Sequence, residues 1–203
     1  MRTGTFRSGL LLLAVAAVGL SGCLGGASAP TKFYSLAPVA GAPSGTSPAG
    51  PGRAIGIGPV TLPAYLDRPQ IVTRQGAEEI TLAEFDRWSE PLKTGMPRVL
   101  ADNLAALLAT DRVSLFPWGK AQAGQVQIIV DVTQFEAVAD KEVVLGARWR
   151  ILGSDGQELA LRRSSLSEAT GGPGYDAIVA AMSRALGALS REIAGAVQEV
   201  SRT

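Results

Sequence analysis

The chain has 203 residues, of which 46% are hydrophobic and only 18% are charged, with a formal net charge of +1. Because a near-neutral chain has no strong long-range attraction for phosphate, we expect no nucleic-acid partner. The lack of histidine excludes His-based triads and His metal ligands. A single cysteine excludes an internal disulfide and a thiolate metal cluster. We therefore expect one domain with an ordinary core, no catalytic residues, no metal and no cofactor.

The first 22 residues have the pattern of a secretory signal peptide. Arg2 and Arg7 give a short positive region, and residues 9–20 form an apolar stretch of the usual length. The Leu-Ser-Gly-Cys sequence that ends at Cys23 resembles the bacterial lipobox, in which the thiol takes a diacylglyceryl group. We predict that residues 1–22 are removed and that Cys23 is lipidated.

An uncleaved transmembrane helix is the alternative, since residues 8–31 carry no charge and are long enough to span a bilayer. The glycines at positions 19, 22, 25 and 26 fit such a span poorly. Two acyl chains already hold a protein stably, at roughly 0.8 kcal/mol per buried methylene. By resemblance to lipoproteins, Leu24 in place of aspartate favours the outer membrane. We predict a lipid anchor there, with the domain facing the periplasm.

The mature chain opens with a tether over residues 23–31, of which the eight residues after the cysteine reach at most roughly 25–30 Å. Residues 32–36 are predicted to form a strand. The Gly-, Pro- and Ser-rich stretch at about 40–53 is predicted to form a flexible loop. Residues 54–62 form the next predicted strand, in which glycines alternate with isoleucines and allow another element to pack closely.

A turn bracketed by prolines follows at 63–69, and two short strands are predicted at 70–74 and 79–83. Pro97 fits the first turn of a helix, where a missing N–H costs nothing. Clean alternation predicts strands at 126–132 and 143–151. The last predicted helix has apolar residues at helical spacing from 178 to 200.

Four side chains in predicted turns or loops are candidates for binding a partner. Tyr65 and Leu66 lie in the proline-bracketed turn, Trp88 precedes a Glu-Pro pair, and Trp118 ends a Phe-Pro-Trp sequence. Aromatic residues in loops often anchor partners, because they bury a large area with few rotatable bonds. They also cap cores at least as often, so the core remains the alternative for all four.

Three blocks of sequence resemble a known family, the ABC-type transport auxiliary lipoproteins. The resemblance runs from Cys23 nearly to the end of the chain, and it is most specific between positions 55 and 74. The blocks are Lys32-Phe33-Tyr34-Ser35-Leu36, then IGIGPVTLPAYLDRPQIVTR at 55–74, then RWSEPL at 87–92 followed by RVLADNL at 98–104.

This resemblance implies a fold, a partner set and a location. The fold would be one α/β domain over 32–203, with a mixed β-sheet flanked by α-helices in three layers, similar to the N-terminal domain of TolB. The lipoprotein would be a docking subunit, not an enzyme, beside mammalian-cell-entry (MCE) proteins and an ABC transporter complex that move lipids between membranes. Because MCE proteins form rings, we also expect a homo-oligomer. The alternative is an envelope assembly factor, such as a regulator of cell-wall synthesis.

Overall fold

The computed structural model describes residues 29–39, 53–119 and 124–202. The predicted signal peptide, Cys23 and most of the predicted loop at 40–53 lie outside these ranges. Residues 31–203 form one compact unit. Within the described ranges, no helix has the length and apolar character needed to cross a membrane.

The described residues form eight strands and two helices. In chain order, they are β1 Lys32–Tyr34, β2 Ile55–Thr61, β3 Gln70–Arg74, β4 Ile80–Trp88, α1 Leu92–Leu107, β5 Val113–Leu115, β6 Val126–Val138, β7 Glu142–Leu152, β8 Glu158–Ala169 and α2 Tyr175–Val200.

Strand β6 organises the sheet, because it has neighbours along both of its edges. On one edge it pairs with β7, which pairs with β8, and both pairings are antiparallel. On the other edge β2 runs parallel to its first part and β3 runs parallel to its end, as the pairs Ile55↔Val126 and Thr73↔Ala137 show. Strand β5 continues the sheet beyond β2, and β4 and β1 continue it beyond β3. The chain between β2 and β3 must therefore leave the sheet.

The alternation in β6 and β7 was correctly predicted. Ile128 and Ile151 are register partners, and both are fully buried on the side that faces the helices. The intervening residues Arg148 and Arg150 are exposed on the opposite side. The period of two thus separates a buried face from a solvated face, as expected for an antiparallel pair with one covered side.

Both helices pack against the buried face of the sheet and against each other. Helix α2 supplies a continuous apolar surface that includes Met182, Leu186 and Leu189, and α1 supplies Val99 and Leu100. The expected α/β class, with a mixed sheet flanked by helices, is confirmed. Both described helices pack on one face of the sheet, and Arg148 and Arg150 on the opposite face of β7 are exposed.

Helix α1 begins earlier than the sequence predicted. Its first residue is Leu92, so Pro97 is the sixth helical residue and not part of the first turn. Leu92 and Met96 are buried on the same side as Val99, which extends the apolar stripe toward the N-terminus. Proline has no backbone N–H, so Pro97 cannot donate the helical hydrogen bond to the carbonyl of Lys93. Lys93 is exposed, and its carbonyl can be hydrated instead.

The segment after β1 crosses the two helices and is held by side chains from both. The amide of Ala37 donates to Oγ of Ser183 at 3.2 Å, and the amide of Val39 donates to Oδ1 of Asn103 at 3.0 Å. Between these bonds Val39 packs onto Gly187 so closely that a Cβ on the glycine would overlap it. The chain that leaves the tether is thereby fixed to the domain.

Replacing Gly187 by alanine is expected to lower the free energy of unfolding by about 1–3 kcal/mol, since the new methyl group must displace Val39. Gly195 in the same helix is the control, because a Cβ there meets nothing within 4 Å. Alanine at 195 is expected to stabilise the helix by up to about 1 kcal/mol. Urea unfolding of both variants checks this, and equal effects would contradict the packing of the segment on α2.

Candidate partner-binding site

The turn at residues 62–69 projects from the sheet between β2 and β3 and is closed by its own backbone. The amide of Leu66 donates to the carbonyl of Pro63 at 2.9 Å, and the amide of Arg68 donates to the carbonyl of Leu66 at 2.9 Å. The amide of Trp88 donates to the carbonyl of Pro69 at 2.7 Å, which joins the turn to the end of β4. Because two prolines also restrict the backbone, this turn loses little entropy when a partner binds.

Two of the four candidate side chains point into the core. Leu66 is 2% exposed, and Trp88, at 7% exposed, is the last residue of β4 and not part of a loop. The side chain of Leu66, near the middle of the turn, packs into the hydrophobic core of the domain. Because both side chains are buried, neither is available on the surface to contact a partner.

The third candidate, Tyr65, joins the turn to a buried carboxylate. Its hydroxyl donates to Oε2 of Glu136 at 2.7 Å, and Glu136 is 0% exposed. Oε1 of the same carboxylate accepts from Nε of Arg74 at 2.7 Å and from Nε2 of Gln134 at 3.2 Å. The backbone amide of Phe135 adds a fourth donor at 3.1 Å. A buried carboxylate with four donors, one of them a guanidinium, is well satisfied, and it fixes the turn to β3 and β6.

Burial and the hydrogen bond to the Glu136 carboxylate raise the pKa of Tyr65 from 10.0 to about 12. The folded state therefore holds its phenol proton more tightly, and the stabilisation is full below pH 10 and is lost as pH rises from 10 to 12. We expect Tyr65→Phe to reduce the fall of the unfolding free energy across that window. The unfolding free energy of this variant should still decrease somewhat over the same pH range, because the pKa of Tyr34 is also raised to about 12 by burial and by Asp86. Urea unfolding at pH 9, 10 and 11 measures the slope, and an unchanged slope would contradict the assignment.

A groove of about 340 Å³ lies where the turn meets the loop between β4 and α1. On its rim, Nζ of Lys93 lies 3.1 Å from Oδ2 of Asp67, and both side chains are about half exposed. Arg68 lines the groove too, and its buried Nε has no hydrogen-bond partner among the described residues. Charges of both signs therefore line the groove.

The fourth candidate, Trp118, lies at a different place in the sheet. Its ring is half-buried over Gly56, near the start of β2, and contacts the ring of Phe116 edge-on with centroids 5.3 Å apart. The Cβ atom of Phe116 packs so closely against Gly58 that a Cβ on this glycine would lie 2.8 Å from it. The prediction that these glycines allow close packing is confirmed. Gly56 lies five residues before the end of β2, roughly 16 Å from the turn along the strand.

The sequence did not reveal the charged residues that complete the site. Arg74 and Glu136 are 62 positions apart, and Asp67 and Lys93 are 26 apart, so no local pattern pairs them. Strand β6 carries two carboxylates, Asp131 and Glu136, and its sequence does not show that only Glu136 is buried. A charge in such a strand is expected to find a partner, but its identity needs the fold.

The fold and this geometry define an α/β domain with a surface groove beside a hydrogen-bonded turn. Among the described residues, no group of three or more Asp, Glu or Cys side chains could hold a metal ion. The family model for the ABC-type transport auxiliary lipoprotein component matches residues 34–194. The chain belongs to this family, as the resemblance implied.

Two curated relatives match almost the whole chain. The intermembrane transport lipoprotein PqiC of Escherichia coli (strain K12) is 29% identical over 191 residues, which cover 94% of this chain and 97% of PqiC. PqiC of Shigella flexneri matches with the same identity and coverage.

Two solved structures share the fold. An uncharacterized protein superposes with a TM-score of 0.68 at 22% identity, covering 83% of this chain and 99% of its own. A DUF330 protein from Xanthomonas campestris superposes with a TM-score of 0.67 at 17% identity, covering 85% of this chain and 100% of its own. At these identities the likeness concerns the fold alone.

Proposed function

We propose that this protein is an outer-membrane-anchored periplasmic lipoprotein that acts as the docking subunit of an MCE/ABC-type system for intermembrane lipid transport. Family membership over residues 34–194 carries the proposal, together with the similarity to PqiC over most of both chains. Lipidation at Cys23 and removal of residues 1–22 are part of the proposal. So are the homo-oligomer and the MCE partner.

The groove beside the proline-bracketed turn is the surface we assign to docking. Its backbone is fixed before binding, since the turn is hydrogen-bonded to itself, to β4 and to Glu136. Arg68 lines this groove as a second cation alongside Lys93. The exposed charges of Asp67 and Lys93 can set the orientation of the partner.

Lys93→Glu is expected to abolish docking while the domain stays folded. The change puts two acidic groups on the groove rim, whereas loss of an exposed ion pair costs at most about 1 kcal/mol. The double variant Asp67→Lys/Lys93→Glu restores the pair in reverse and should still dock poorly, because the rim has the opposite charge pattern. Lys141→Glu, in the exposed turn between β6 and β7, is the control and should dock normally.

Docking is measured by crosslinking the lipidated chain to MCE protein in cells and by detergent sensitivity of the deletion strain that carries each variant. Recovery of an MCE protein with wild type and Lys141→Glu, but not with Lys93→Glu, supports the proposal. Recovery of only cell-wall enzymes, with altered peptidoglycan in the deletion strain, would support the alternative role in cell-wall synthesis. Equal docking by all variants would exclude the groove as the docking surface.

A further inference from the structure

The face of β6, β7 and β8 that lies opposite the helices carries a cluster of arginines. Arg148 and Arg150 project from β7 on this side and Arg163 from β8, and all three are exposed. Within the described ranges, no helix packs on this side. We call it the outer face.

The arginines are arranged so that they repel one another. Arg148 and Arg163 are direct register partners, so their Cβ atoms are about 5 Å apart, and like charges in such a pair are destabilising. Arg150 lies two residues along β7 on the same side. One carboxylate relieves the repulsion in part, because Oδ2 of Asp131 is 3.2 Å from the guanidinium of Arg148. No ion pair joins Arg150 or Arg163 to a carboxylate in the part of the chain that the structure describes.

Apolar side chains lie beside the arginines on the same face. Leu161 is the register partner of Arg150 and is 64% exposed. On the other neighbouring strand, β6, the register partner of Arg150 is Ile129. Leu161, Ile129 and Pro59 line a shallow groove of about 470 Å³, with Arg148 and Arg150 beside them. An exposed leucine next to unpaired cations is expected where a binding partner covers both.

We propose that the outer face binds an acidic segment of another protein, in which carboxylates alternate with apolar side chains. The carboxylates would pair with Arg150 and Arg163, and the apolar side chains would cover Leu161 and Ile129. This surface is distinct from the groove at the proline-bracketed turn, and the inference does not depend on docking there.

The parts of this chain that lie outside the described ranges cannot supply such a segment. The parts of the sequence outside the described ranges, residues 1–28, 40–52, 120–123 and 203, contain no aspartate or glutamate side chain. Within the domain, β8 is five strand spacings, about 24 Å, from β1, the strand that follows the tether. The reach of the tether is of the same size, so an anionic membrane is the other occupant that the experiment has to separate from an acidic protein segment.

The test uses the mature lipidated chain with Ser165→Cys. Ser165 is exposed on β8, two residues from Arg163 on the same face. Since the chain's other cysteine is the acylated Cys23, the new thiol takes a polarity-sensitive fluorophore uniquely. The probe is a 12-residue peptide of alternating Glu and Leu, and a Lys–Leu peptide is its control. We expect the Glu–Leu peptide to shift the emission to the blue and to bind more weakly as salt is raised.

Arg150→Gln/Arg163→Gln is expected to weaken that binding at least tenfold. Arg191→Gln/Arg202→Gln is the matched control, because it removes two exposed arginines outside the sheet, and it should bind as wild type does. Equal binding by the two double variants, or equal binding of the Lys–Leu peptide, would overturn the proposal. So would a blue shift on reconstitution into phosphatidylglycerol vesicles without peptide, since the occupant would then be lipid. Thermal unfolding of each variant shows whether the fold is intact.

Discussion

Replacing Arg74 by alanine is expected to lower the free energy of unfolding by about 3 kcal/mol or more. The change leaves the Glu136 carboxylate buried without its cation, and a buried charge that loses its partner is strongly destabilising. Because the same carboxylate holds the hydroxyl of Tyr65, the turn at 62–69 should loosen as well. Urea unfolding at pH 7 gives the free energy, and protease susceptibility within the turn reports the local loss.

A second arginine–carboxylate pair involving β6 serves as the control. Arg148 and Asp131 are 3.2 Å apart, but their side chains are 56% and 49% exposed, against 20% and 0% for Arg74 and Glu136. Arg148→Ala should therefore change stability by less than about 1 kcal/mol. The double variant Arg74→Met/Glu136→Gln should recover much of the loss, because it removes the buried charge along with its partner and keeps a side-chain oxygen for the Tyr65 hydroxyl. Equal losses in Arg74→Ala and Arg148→Ala would contradict the role assigned to burial.

Cys23→Ser is expected to abolish lipidation and to move the protein from the membrane fraction to the soluble periplasmic fraction or to an unprocessed form. The hydroxyl cannot take the diacylglyceryl group, and two acyl chains are what the proposal requires to hold the protein on a bilayer. The folded domain should be unaffected, since residues 31–203 form their own compact unit. Metabolic labelling with an acyl-chain analogue gives the direct measurement.

Ser21→Ala is the matched control, because it keeps a small residue ahead of the cysteine and should still be labelled. Acyl labelling of the Cys23→Ser variant would show that the anchor has been assigned to the wrong residue. Full sedimentation of the unlabelled variant with membranes, after processing, would show that the protein surface itself binds lipid.

The local elements were largely predictable, for a physical reason that individual residues show. In β6 and β7, fully buried apolar residues such as Ile128 and Ile151 recur at every second position, because one face packs on the helices and the other is in water. The second half of β4 was not predicted, because its charged residues at 84, 86 and 87 break the apolar alternation and its pairing with β3 is irregular. Helix α1 was placed too late because Pro97 has a strong preference for a first turn, which the burial of Leu92 and Met96 overrides.

The sequence by itself predicted the family, because each of the three blocks that resemble it is a run of consecutive residues. Only the tertiary structure decided which surfaces are available for binding. In the folded domain Leu66 and Trp88 are buried. Arg74 pairs with Glu136, which is 62 residues away in sequence, and Arg148 lies opposite Arg163. Exposure and pairing depend on which strands become neighbours, and the long-range pairing of β2 and β3 with β6 leaves no trace in local sequence.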